Sequence, residues 1–184
     1  MLLFMQTGPN SDARFSLGRL SLQDRIETTM TLDLQSLDGV IRDGRHLLPV
    51  RVYYEDTDFT GVVYHASYLR FMERGRSNYL RLLGADQRAL FEQAENEAPG
   101  FSFVVRSMQI DFRKPARMDD VLQVVTVPKE VKGASVLLHQ RVERGDEMLV
   151  EATVQVAFVS DGRARPIPKP LRLAMRAGQA DTGG

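Results

Sequence analysis

The stretch Tyr53-Tyr54-Glu55-Asp56-Thr57-Asp58-Phe59-Thr60-Gly61-Val62-Val63-Tyr64-His65 joins two kinds of local order. Before it, Leu47 to Tyr54 is rich in β-formers; after it, Ala66 to Leu83 carries helical spacing. Between them lie two closely spaced carboxylates and a glycine turn. A strand that passes through such a turn into a helix brings Asp58 beside the N–H groups that open the helix. Those donors lack intrahelical partners and sit at the positive end of the helix dipole. They can hold a developing oxyanion while a carboxylate drives attack on a carbonyl.

Three readings compete for the carboxylates. Asp56-x-Asp58-x-Thr60-Gly61 imitates the start of a calcium-binding EF-hand loop, but the twelfth position, where that loop needs glutamate, is Ser67. A strand also stands where the entering helix should be, so the metal reading fails. Asp and Thr also favour turns and helix caps, the better role for Asp56 at the turn's entry. The third reading is catalytic. A thioester is already activated, and a thiol with a pKa of about 8.5 leaves without a strong general acid. One carboxylate, attacking the carbonyl or deprotonating water, and one oxyanion site near Tyr64 and His65 then suffice. On the residues alone, the capping and catalytic readings of Asp58 both stand.

Outward from the turn, Val50-Arg51-Val52-Tyr53-Tyr54 alternates as a strand should. In the helix, Leu69, Met72, Arg76, Tyr79, Leu80 and Leu83 fall near helical spacing, with Gly84 as the stop. Gly75 costs roughly 1 kcal/mol against alanine in mid-helix, so its presence predicts close packing against something flat, such as a sheet. Asp86 to Glu97 reads as a short polar helix or loop. Phe101 to Phe112, Val121 to Glu130, Ser135 to Arg144 and Met148 to Ser160 are β-rich, and Lys132-Gly133 and Gly145-Asp146 are hairpin signals. One long helix against one antiparallel sheet is an α+β architecture.

With 184 residues and 43% hydrophobic content, the chain supports one substantial core. Residues 1–46 read as a flexible or partly helical leader whose weak helical stretch runs from Ser21 to about Leu37. Residues 47–162 form the domain, and 163–184 a tail with a helical turn near Leu171 to Met175 and a disordered end. Basic and acidic residues balance at 24 each, so no global field favours nucleic acid or an anionic membrane. The absence of cysteine excludes disulfides, thiolate catalysis and thiolate-bound metals. Only His46, His65 and His139 are available for a histidine metal site. The apolar opening Met1 to Met5 is too short for a signal-peptide core, and no segment has transmembrane length. The chain reads as cytoplasmic.

Asp56 to His65, followed by Ala66-Ser67-Tyr68-Leu69 and Glu73-Arg74-x-Arg76, resembles the most diagnostic segment of the hotdog-fold acyl-CoA thioesterases of the 4-hydroxybenzoyl-CoA thioesterase type. Phe112-Arg113-Lys114-Pro115-Ala116-Arg117-Met118-Asp119-Asp120 resembles that family's second recognisable stretch. The likeness spans roughly Pro49 to Ser160 and is strongest to the branch associated with the bacterial Tol–Pal envelope system. It implies a hotdog fold, an antiparallel sheet wrapped around one long central helix, and hydrolysis of acyl-CoA with no metal or cofactor. It also implies that Asp58 is the catalytic carboxylate and that the backbone N–H of Tyr64 meets the thioester oxygen. Phe59-Thr60 departs from the small residues common at these positions, which bears on acyl-pocket size.

His65 reads equally as a partly buried structural histidine or as an orienter of Asp58 or of water. Glu73, two turns into the helix, is a second carboxylate and ranks below Asp58, because Glu73-Arg74-x-Arg76 is more simply an ion-paired helix surface. The phosphates of coenzyme A call for local cations: Arg113, Lys114 and Arg117 cluster at one strand end, Lys129 and Lys132 at the next hairpin. The resemblance places phosphate-binding cations in the region of Lys132, while Gly133 stands where some relatives carry another cation. An edge strand left bare beside the catalytic turn predicts at least a homodimer, with a homotetramer as the larger alternative. The rivals are an aroyl-CoA or acyl carrier protein thioesterase, which differs only in its pocket, and a catalytically silent hotdog scaffold.

Overall fold

A computed structural model describes residues 37–86 and 88–177, all within the compact unit Leu34–Gly184. The weak helical stretch from Ser21 and the end of the tail lie outside the described residues. Strands β1 (Val40–Arg42) and β2 (Arg45–Arg51) lead into a 3-10 turn, Tyr54–Asp56, and then into helix α1 (His65–Asp86) and helix α2 (Arg88–Glu97). Strands β3 (Ser102–Phe112), β4 (Val121–Val131), β5 (Ser135–Arg144), β6 (Glu147–Ser160) and β7 (Arg163–Ala164) follow, and helix α3 (Lys169–Ala177) closes the described chain. The strands form one sheet in the order β1-β2-β4-β5-β6-β3, with β7 folded back on β6. Every pairing is antiparallel.

Period-two alternation explains the sheet's inner face. His46, Leu48 and Val50 point inward from β2, and Val136, Leu138, Gln140 and Val142 from β5. The two hairpins fall where Lys132-Gly133 and Gly145-Asp146 predict them. Pro128, which cannot donate to the ladder, sits beside a register shift in β4, a place where sheets accept proline.

Helix α1 lies on this inner face. Tyr68, Phe71, Met72, Gly75, Tyr79 and Leu83 are buried along it, each three or four residues from another member of the stripe. The buried stripe is thus offset from the expected one, and Leu69 remains exposed. Gly75 makes the close approach: a Cβ there would stand 2.8 Å from Val124 Cγ1 and 3.1 Å from Thr126 Oγ1. Beside it, buried Gln140 donates to the Met72 carbonyl (2.9 Å) and Thr126 Oγ1 (2.8 Å), and accepts from Arg76 (2.7 Å). Gly84 does not stop α1, which runs on to Asp86.

The sheet begins before residue 47, and a helix packs on the core after residue 162. β1 and the start of β2 precede residue 47, and the Asp38 carbonyl bonds the ring of buried His46 at 2.7 Å. Burial holds His46 below the ordinary histidine pKa, against the opposing pull of Asp38. In the tail, Ile167, Leu171 and Met175 are buried at four-residue intervals, so α3 completes the core. Among the described residues, no helix is long and apolar enough to cross a membrane.

Candidate active site

The turn between β2 and α1 is fixed by backbone pairing. Val52 exchanges hydrogen bonds with Asp120 and Asp119, the Val63 N–H donates to Ala116, and Val62 forms an isolated bridge with Arg117. The β3–β4 connection therefore carries the turn. It is itself tied to α1, because the Ala116 N–H donates to the buried Tyr68 hydroxyl at 2.8 Å.

Asp56 and Asp58 have different surroundings. Asp56 is buried, and its Oδ2 accepts the Tyr53 N–H at 3.0 Å. Its carbonyl accepts the Tyr64 N–H at 2.9 Å and the Ser67 hydroxyl at 3.0 Å. Asp56 therefore ties the turn to the helix start, as its capping role predicts. Asp58 is partly exposed. Its N–H donates to the Val62 carbonyl (2.9 Å) and its carbonyl accepts from Gly61 (3.0 Å), closing a tight loop. Gly61 has φ +78, a conformation that favours glycine. Asp58 Oδ1 accepts both the Thr60 hydroxyl (2.6 Å) and the Thr60 N–H (2.8 Å). These bonds, the hydroxyl's first, hold the carboxyl below its ordinary pKa. Among the described residues, Oδ2 has no partner.

The helix start differs from expectation in one respect. The Tyr64 N–H is already given to Asp56, so the donors left without acceptors among the described residues are those of His65 and Ala66. The His65 ring packs on Tyr64, centroids 4.3 Å apart, and edge-on to Phe112 at 6.3 Å. No hydrogen bond joins it to Asp58. Glu73 lies on the exposed side of α1 and accepts the Ser77 hydroxyl at 2.6 Å, apart from the turn.

The three expected phosphate contacts differ in availability. Arg113 pairs with Glu151, which also meets His139, and Lys114 pairs with Glu147, which also meets Arg144. Lys132 is about as exposed as Lys114, but its pair is longer: among the described residues its one partner, Glu130, lies at 3.2 Å. Arg117, opposite Val62 on the β3–β4 connection, is exposed and has no ion pair among the described residues. Among the described residues, no cluster of three or more His, Asp or Glu has the geometry to hold a metal. An apolar cleft lined by Leu80, Phe103, Val136, Leu138, Val156 and Met175 opens between α1 and β3. No residue of the Asp58 turn lines it.

A single antiparallel sheet carrying one long helix, with a carboxylate turn at the helix start, defines a hotdog-type hydrolase scaffold. The family model of the Thioesterase superfamily matches residues 60–151, and the chain belongs to that superfamily. It is 47% identical over 134 residues to the acyl-CoA thioesterase YbgC of Haemophilus influenzae, a match covering 72% of this chain and 95% of that one. It is 42% identical over 126 residues to the acyl-CoA thioester hydrolase YbgC of Escherichia coli, covering 67% and 90%. Among solved structures, a probable thioesterase from Bartonella henselae superposes with a TM-score of 0.56 at 39% identity, covering 67% of this chain and 98% of that one. The expected hotdog fold is therefore the fold of this chain.

Proposed function

We propose that this chain hydrolyses acyl-CoA thioesters to free carboxylate and coenzyme A, with Asp58 as the reacting carboxylate. One observation carries the assignment: among the described residues, Oδ2 of Asp58 is unpartnered in the turn that enters α1, and so are the His65 and Ala66 N–H groups at the helix start. A carbonyl oxygen held by those two donors would offer its carbon to the carboxylate of the turn that leads into the helix. Asp58 then attacks that carbon to give an acyl anhydride, or takes a proton from a water that attacks. The C–S bond breaks, the thiolate is protonated from solvent, and hydrolysis of any anhydride restores the carboxylate. The two amides stabilise the oxyanion formed at addition. Tyr64 serves as the residue before the helix, holding Asp56, and His65 contributes its backbone.

Lys132 is our choice for the phosphate contact, because a single exposed pair is readily exchanged for a phosphate. Arg113 and Lys114 would have to give up shorter pairs to do so. A homodimer fits the remaining surface: β3 is a sheet edge with exposed Val104 and Val105, and Val105 and Phe103 border the apolar cleft. A second copy pairing at this edge closes the cleft and covers the strand. Light scattering should give at least twice the 20.7 kDa chain mass, and an active monomer contradicts the dimer. A coenzyme A substrate is consistent with a reaction in the cytoplasm.

The function is tested by thiol release across short-chain, long-chain and aromatic acyl-CoAs and an acyl carrier protein thioester. Cleavage of one acyl-CoA class is expected. Cleavage of the carrier protein thioester alone moves the assignment to that rival, and no cleavage of any leaves the scaffold.

A further inference from the structure

We propose that Thr60 is a positioning residue for the reaction: its hydroxyl and N–H fix Oδ1 of Asp58 and leave Oδ2 as the single oxygen offered to the acyl carbonyl. The inference rests on Asp58 being the reacting carboxylate. A carboxylate on a partly exposed turn is otherwise free to rotate about its side-chain bonds and to present either oxygen. Here both donors come from one residue two positions along, at 2.6 Å and 2.8 Å, and both converge on Oδ1. The two residues that follow Thr60 are each fastened to Asp58, through the Gly61 N–H to the Asp58 carbonyl and the Asp58 N–H to the Val62 carbonyl, which holds Thr60 within a closed turn. Fixing a reacting group in this way removes rotational freedom before substrate arrives.

The same contacts set the charge of the group. Other ionisable groups surround the turn: Glu55 and Asp56 on its own segment, His65 at the head of α1, and Arg117 on the β3–β4 connection opposite Val62. None of them contributes to the lowered pKa of Asp58, which comes from the Thr60 hydroxyl first and then the Thr60 N–H, with burial opposing them and the Val62 backbone adding a smaller pull. Loss of the hydroxyl has two consequences of opposite sense. The carboxylate becomes more basic, which by itself favours attack, and it becomes free to turn, which disfavours it. A fall in kcat therefore reports lost position, while the acid limb of the pH profile reports lost charge stabilisation.

The test compares Thr60→Val, Thr60→Ser and Asp58→Asn in the full chain, with a cleaved acyl-CoA as substrate. Valine keeps the branched shape and the N–H bond to Oδ1 but has no hydroxyl. Thr60→Val should lower kcat about tenfold, the low end for one hydrogen bond to a charged group, with KM and thermal stability little changed. The acid limb of its kcat/KM profile should move to higher pH. Thr60→Ser, which retains both donors, should keep the wild-type profile. If Asp58→Asn is inactive while Thr60→Val keeps wild-type kcat and an unmoved acid limb, the inference on Thr60 is overturned and Asp58 stands. If Asp58→Asn retains activity, the underlying assignment of the carboxylate fails, and the inference with it. A Thr60→Val variant that loses only KM shows the hydroxyl contacting substrate and also overturns the positioning role.

Discussion

At its first turn, α1 leaves the His65 and Ala66 N–H groups without acceptors among the described residues, a few positions after a partly exposed carboxylate. About three turns further on, Gly75 lies against β4 with no room for a methyl group, and Gln140 pairs with three neighbours. Free donors at a helix start and a carboxylate with a free oxygen are groups that a ligand can engage. They are useful only if the helix does not move, and the tightly packed midsection supplies that immobility. The comparison yields predictions that attack the packed region and ask whether the open end suffers with it.

The largest effect is expected at Gly75. Gly75→Val puts a branched side chain where Val124 Cγ1 would lie 2.8 Å from its Cβ. Overpacking of a stiff contact should cost about 3 kcal/mol, read from chemical denaturation, and activity should fall more steeply than the folded fraction. A variant as stable as the parent would contradict the close approach.

Gln140→Leu comes next. It leaves Arg76, the Thr126 hydroxyl and the Met72 carbonyl without their buried partner. The cost should be about 2 kcal/mol, the range for leaving buried polar groups unpaired. Tyr79→Phe should go the other way. Burial pushes that phenol up to about 12, and its hydroxyl is buried with no partner among the described residues. Phenylalanine removes an unmet polar group, and stability should rise by about 1 kcal/mol. A loss instead would show that the hydroxyl has a bound partner such as water.

The smallest expected effect is a slope against pH. His46, packed near Tyr79 with ring centroids 6.3 Å apart, has a pKa lowered by burial. The unfolded chain takes up its proton below about pH 6.5, while the folded chain resists it. The unfolded state then binds more protons, so this contribution to stability is whole above about pH 6.5 and declines as pH falls below it. Melting temperatures from pH 8 to 5 should fall less in His46→Gln than in the parent, and parallel curves would remove His46 as the cause.

Much of this arrangement was legible because local pattern and tertiary role coincide. The alternation of β5, the hairpin turns and the mid-helix glycine each announce their partner surface. The ends were not legible for physical reasons. Val40–Arg42 is an edge of three exposed residues without alternation, and the stripe Ile167, Leu171, Met175 is diluted by proline and arginine. At the site, Asp58 could be read from its segment, and the spacing Asp58-Phe59-Thr60 carried the hint of a side-chain turn. The pairing of Arg113 with Glu151 and Lys114 with Glu147 could not be read, because it depends on strand register across β3 and β6. Nor could the use of the Tyr64 N–H by Asp56, since the two meet only once the turn has closed.

The central claim is that the open end of α1, through Asp58, does the chemistry. Its most direct test is thiol release by Asp58→Asn and Glu73→Gln measured side by side on the same acyl-CoA. Asparagine keeps the size of Asp58 and its capping ability but lacks the carboxylate. The Asp58 variant should lose a factor of at least about 10² in kcat with its fold and substrate affinity intact, and the Glu73 variant should stay within severalfold of the parent. An active Asp58→Asn beside an inactive Glu73→Gln would move the chemistry to the middle of the helix and contradict the account.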